Sequence, residues 1–77
     1  MNLNSLGRGQ YARVVKVKAE GSVKRRLNEL GVIPDTLVYF IRKSPLGDPV
    51  AFYVRGSTVA IRKTDLNNII IDDIKEC

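Results

Sequence analysis

The chain has 77 residues, thirteen Lys+Arg against eight Asp+Glu, a formal charge of +5, no His and one Cys. With 44% hydrophobic and 27% charged residues it fits one small folded domain, residues 1–77, and excludes both intrinsic disorder and a second domain. A domain this short buries only roughly 60% of its unfolded surface, which leaves little room for a deep substrate pocket.

In chain order, Leu3 to Gly9 reads as a short turn or single helical turn, with Leu3 and Leu6 able to tuck onto a core. Tyr11 to Lys18 reads as a strand: Ala12 and Val14 share one face, Val15 and Val17 the other. The apolar phase slips between Val14 and Val15, which predicts a bulge or strong bend there. Ser22 to Leu30 is the one convincing helix, with Ser22 as N-cap and Val23, Leu27 and Leu30 forming an apolar stripe at i, i+4 and i+7. Gly31 suits the left-handed residue after the last turn, Val32 the contact of a Schellman cap with Leu27, and Pro34 stops the helix.

Thr36 to Arg42 lacks polar alternation, which predicts a central strand buried on both faces. Lys43 to Pro49 is a loop. Val50 to Arg55 and Thr58 to Arg62 are strands joined by a tight turn at Gly56 and Ser57. Thr64 and Asp65 suit the cap of a short helical turn, Ile69 to Ile71 a last strand, and Asp72 to Cys77 a trailing end. The expected architecture is mainly β: a small, partly open, five-stranded SH3-like barrel with one short α-helix after the first strand, because short strands in a small domain close on themselves to hide their edges. An OB-fold is the other five-stranded solution, but its helix normally lies between the third and fourth strands.

The absence of His removes the commonest general base and transition-metal ligand, so no Ser-His-Asp or Cys-His arrangement exists within the chain. No acid–base constellation points to an enzyme. Cys77 reads as a spare thiol in a reducing compartment. The carboxylates are scattered, so neither metal nor cofactor is expected. No apolar run reaches the roughly 20 residues of a membrane span, and MNLNSLGRGQ lacks the pattern of a secretory signal, so the chain reads as cytoplasmic.

The segments RRLNELGVIPDT (Arg25 to Thr36), KSPLGDP (Lys43 to Pro49) and VRGSTVAIRKTDLNNI (Val54 to Ile69) occur in that order. Together they resemble the FeoA family of ferrous iron transport proteins, whose pattern runs RRLxELGxxPGT, then APLGDP, then a strand ending in RG, then an ALR-like strand. The opening LGRGQYARVVKV is similar to that family's LxxGxxARVxxI. The likeness covers about residues 3 to 72. Asp35 stands where the family usually has Gly, and Ser44 where it has Ala. The resemblance implies an SH3-like barrel and a role beside FeoB, the ferrous iron permease with a cytosolic GTP-binding domain. It also admits a regulatory domain like that at the C-terminus of DtxR-type iron-dependent repressors.

Two surfaces are candidates for contact with such a partner. In the loop Ser44, Pro45, Leu46, Gly47, Asp48 and Pro49, the prolines and Leu46 can form a pre-ordered ridge, or can merely build a turn with Leu46 closing the barrel end. On the helix, Lys24, Arg25 and Arg26 can steer an acidic partner, or form a solvated face with Arg25 paired to Glu29. Arg55, Arg62 and Lys63 are expected at the surface. A nucleic-acid-binding barrel needs aromatic platforms; Tyr39, Phe40, Phe52 and Tyr53 lie in apolar runs that suit a core, leaving Tyr11 as the free aromatic.

Overall fold

A computed structural model describes residues 1–77. A 3₁₀ turn (Leu3–Ser5) is followed by β1 (Gln10–Val17), α1 (Gly21–Glu29), β2 (Leu37–Lys43), β3 (Val50–Val54), β4 (Ser57–Ile61), α2 (Lys63–Leu66), β5 (Ile69–Ile71) and β6 (Lys75–Glu76). All strands pair antiparallel in the order β4-β3-β2-β1-β5, with β6 also on β1. The architecture is therefore mainly β as expected, with six strands rather than five. The extra strand is the two-residue β6, which carries no apolar signal and forms only because Gln10 and Tyr11 offer it a free edge.

β1 is the hub of the sheet. Tyr11 to Arg13 pair with β2, and Val14 to Val17 pair with β5. The register shifts between Val14 and Lys16, so Val15 is the bulged residue and stands exposed. The phase slip in the sequence located this bend. Fifteen buried apolar side chains form one core, among them Leu3 and Leu6 from the N-terminal turn, Leu27 from α1, Phe52 from β3 and Ile69 from β5.

α1 starts one residue earlier than its apolar pattern suggested, and Ser22 does not cap it: the residue before the helix is Glu20, with no side-chain capping bond. Its end follows the expected device. The N–H of Val32 donates to the carbonyl of Leu27 at 2.9 Å and that of Gly31 to Asn28 at 3.0 Å, the two bonds of a Schellman motif. Gly31 sits at φ 91°, where an L side chain is strained. A Cβ there would also lie 2.9 Å from Arg55 Cδ, so Gly31→Ala is expected to cost at least about 1–2 kcal/mol, read as a fall in the urea midpoint with the slope unchanged. Asp35, at φ 73°, takes a left-handed position that its short polar side chain tolerates better than most, and its N–H donates to the carbonyl of Val14.

Two expectations are corrected. β2 is not buried on both faces: only Val38 is fully buried, while Leu37 and Ile41 are exposed. β2 is central in the sheet, but the sheet bends around one core, so only its inner face is covered. The β3–β4 turn is Arg55-Gly56 rather than Gly56-Ser57. Both residues have positive φ, as a two-residue hairpin turn matched to strand twist requires, and Ser57 already pairs with Val54.

Candidate docking surface

The loop between β2 and β3 is held by main-chain bonds at its neck and its tip. The Ser44 N–H donates to the Pro49 carbonyl at 3.1 Å, and the Gly47 N–H donates to the Ser44 carbonyl at 2.8 Å. The second bond closes a four-residue turn with Pro45 in the position that suits its fixed φ. The carboxylate of Asp48 accepts the backbone N–H of Lys63 at 2.9 Å, satisfying one of the orphan donors at the start of α2. Asp48 therefore anchors the loop. Leu46 stands at the apex, 95% exposed, with Pro45 and Pro49 also exposed beside it. Leu46 does not close the barrel end. Ser44 is half-buried, and its hydroxyl makes no hydrogen bond within the chain. Arg42 and Lys43, at the foot of the loop, are exposed.

The helix face is less free than its sequence suggests. Lys24 and Arg25 are exposed, and Arg25 forms no ion pair with Glu29; the chain's one salt bridge joins Arg26 to Asp65 at 2.5 Å. Asp65 is 8% exposed, the one buried charged residue of the chain. Arg26 is thus a tie between α1 and α2 rather than a free cation. Because Asp48 of the loop and Arg26 of α1 both bond to α2, this short helix ties together the loop and the basic helix, which lie far apart in sequence. Neither Asp48 nor Asp65 was identifiable as an anchor beforehand, since nothing local distinguishes these carboxylates from solvated ones.

Arg26→Ala leaves the Asp65 carboxylate buried without its partner. The expected cost is about 2 kcal/mol, less than for a wholly buried pair because the arginine is half in solvent. In a domain of this size that lowers the melting temperature by roughly 8–16 °C. Asp65→Asn is expected to cost less. A wild-type melting curve for Arg26→Ala would show that the tie is dispensable.

The aromatic residues are redistributed relative to expectation. Phe52 is buried and Phe40 half-buried, but Tyr39 and Tyr53 belong to the outer face because their strand neighbours Val38 and Phe52 point inward. Tyr11, Tyr39 and Tyr53 lie in register across three strands. Tyr11 and Tyr39 stack at 4.9 Å, and Tyr53 meets Tyr39 edge-on at 6.3 Å. The central ring is therefore engaged by both of its neighbours. No group of three or more His, Cys, Asp or Glu comes together in a form that holds a metal ion.

This frame matches known proteins. The family model for the FeoA domain matches residues 1–73. A FeoA protein from Chlorobium tepidum, solved by NMR, is 34% identical; the match covers 92% of this chain and 68% of that one, with a TM-score of 0.85. A FeoA from Stenotrophomonas maltophilia is 27% identical over 99% of this chain and 96% of its own, with a TM-score of 0.84. It is described as a prokaryotic SH3-domain protein complexed with zinc and a candidate activating factor for ferrous iron transport. A curated relative from Porphyromonas gingivalis, a fusion of Fe(2+) transport protein A with the Fe(2+) transporter FeoB, is 28% identical over 94% of this chain. The chain spans only 8% of that relative's length. No helix here is long and apolar enough to cross a membrane. With its antiparallel SH3-like sheet, its Schellman-capped helix and a family match over nearly its whole length, the chain belongs to the FeoA domain family.

Proposed function

We propose that this chain is a cytoplasmic, non-catalytic accessory of ferrous iron uptake that binds the cytosolic part of a FeoB-type permease and modulates it by protein–protein contact. One observation carries the reading: in the Porphyromonas gingivalis relative, a segment matching 94% of this chain is covalently joined to FeoB. Domains fused in one organism are held at high effective concentration, and separate chains can meet the same need through a docking surface.

The contact is assigned to Ser44–Pro49 around Leu46, with Lys24 and Arg25 steering the encounter through the net charge of +5. A loop fixed by its own bonds loses little conformational freedom on binding, so an exposed apolar apex can act as an anchor. Iron is carried by the permease and not by this chain.

The test is an NMR titration of labelled protein with the cytosolic domain of the same organism's FeoB, at fixed salt and nucleotide state. Shifts confined to Lys43–Pro49 and the adjoining strands are the expected result. Their absence at high concentration would remove that domain as a direct partner.

A further inference from the structure

β4 is an edge strand, and its edge is open. β3 is its only strand neighbour. Because the turn at Arg55-Gly56 has two residues, Val54 and Ser57 form a hydrogen-bonded pair, and so do Phe52 with Val59 and Val50 with Ile61. The intervening residues, Thr58 and Ala60, therefore point their N–H and C=O groups away from β3. No turn, loop or side chain elsewhere in the chain bonds to these groups, and both residues are exposed.

Proteins normally blunt such an edge with Pro, Lys, a bulge or a covering segment. β4 reads Ser-Thr-Val-Ala-Ile and pairs with β3 in unbroken register. The other end of the sheet is treated differently: β5 is covered by the N-terminus, where Asn2 bridges to Ile70 and the Ile71 N–H donates to Met1. Beside β4 lies a recess of about 160 Å³ lined by Leu27 and Leu30 of α1 and by Ala60 and Ile61, with the Arg26–Asp65 ion pair and Arg62 completing its wall. An open edge beside a small, partly apolar recess is the arrangement by which strand addition combines main-chain bonding with side-chain selection.

The charges select the occupant. Arg55 lies at one end of β4, and Arg62 and Lys63 at the other. Two copies paired antiparallel through β4 would set Arg55 of each against Arg62 and Lys63 of the other, a like-charge conflict. We infer that β4 receives an extended segment of a partner protein as an added strand, with carboxylates flanking that segment and one apolar side chain in the recess between α1 and β4. This rests on the reading that the chain docks onto another protein. It adds a second contact, distinct from the loop, and its mode.

The test uses the full chain, two probes and one proline. The Ala60 N–H faces outward, so Ala60→Pro removes a donor that the fold does not use, and proline is tolerated at such edge positions. The probes are the cytosolic domain of the FeoB-type permease and a short synthetic peptide alternating Val and Thr with Asp at each end. Either probe is expected to protect the Thr58 and Ala60 amides from hydrogen exchange. Ala60→Pro is expected to weaken binding about thirtyfold, roughly 2 kcal/mol. If the permease domain binds wild type and Ala60→Pro equally, with no protection at β4, strand addition is overturned while the loop contact stands. If the peptide binds in a proline-sensitive way and the permease domain does not bind, the permease reading fails and the edge stands. Binding of neither removes both. Self-association abolished by Ala60→Pro would overturn the acidic partner in favour of a second copy. If Ala60→Pro does not fold, amide protection in the wild type decides alone.

Discussion

Phe52→Ala is expected to leave the chain only marginally stable, with most of its folding free energy gone. Phe52 is 1% exposed at the centre of β3, with its ring edge-on to Phe40 at 6.0 Å. Removing a buried phenyl ring costs about 3–5 kcal/mol in transfer and cavity terms. Total stabilities run from about 5 to 15 kcal/mol, and a 77-residue domain with a small core belongs near the lower end. Each kcal/mol shifts the melting temperature by roughly 4–8 °C at this size. Phe52→Leu keeps most of the volume and is expected to remain folded with a loss of about 1 kcal/mol. Tyr53→Ala, one residue along on the outer face, is expected to lose less than Phe52→Ala, since that ring is 45% exposed. Equal losses at Phe52 and Tyr53 in thermal and urea unfolding would mean that the two faces of β3 are wrongly distinguished.

Leu46→Asp is expected to separate binding from folding. The side chain is 95% exposed, so the folded protein loses almost no packing, and its stability stays within about 0.5 kcal/mol of wild type. If the loop is the anchor for FeoB, a carboxylate there both removes an apolar contact and buries an unpaired charge in the complex. Truncating such anchors costs about 2–3 kcal/mol, so the dissociation constant rises roughly 30- to 150-fold. Calorimetric titration of wild type and variant against the cytosolic domain of FeoB gives this ratio directly. Unaltered affinity would remove Leu46 as an anchor. An unfolded variant would contradict the exposure of the loop tip.

The candidate surfaces were partly legible from local chemistry. Pro45, Gly47 and Pro49 marked a rigid loop at the right place, but whether Leu46 pointed inward or outward was open. That direction follows from where the loop is anchored, and the anchor is Asp48 on the backbone of Lys63, fifteen residues on. Likewise Lys24, Arg25 and Arg26 are equivalent in a helical pattern. Arg26 alone is withdrawn from the free surface, because Asp65 arrives beside it from 39 residues away. The tyrosine row was missed because β2 is an almost unbroken apolar run, and a run without alternation does not reveal which parity faces the core.

The features legible from chain order are those set by short-range constraints. The helix end at Gly31 and Pro34, the bulge at Val15, the Ile69–Ile71 strand and the N-terminal turn with Leu3 and Leu6 inside each depend on backbone sterics or on side-chain periodicity within a few residues. The remaining features arise only when distant segments meet in the fold. β6 exists because β1 has an unpaired edge. β2 is half-exposed because the bent sheet has one core and therefore one buried face. Asp65 is buried because a partner charge meets it there, and the N-terminus covers the β5 edge while the β4 edge stays open. These outcomes require groups distant in sequence to meet, and a linear pattern does not encode which of several chemically equivalent groups will be brought together.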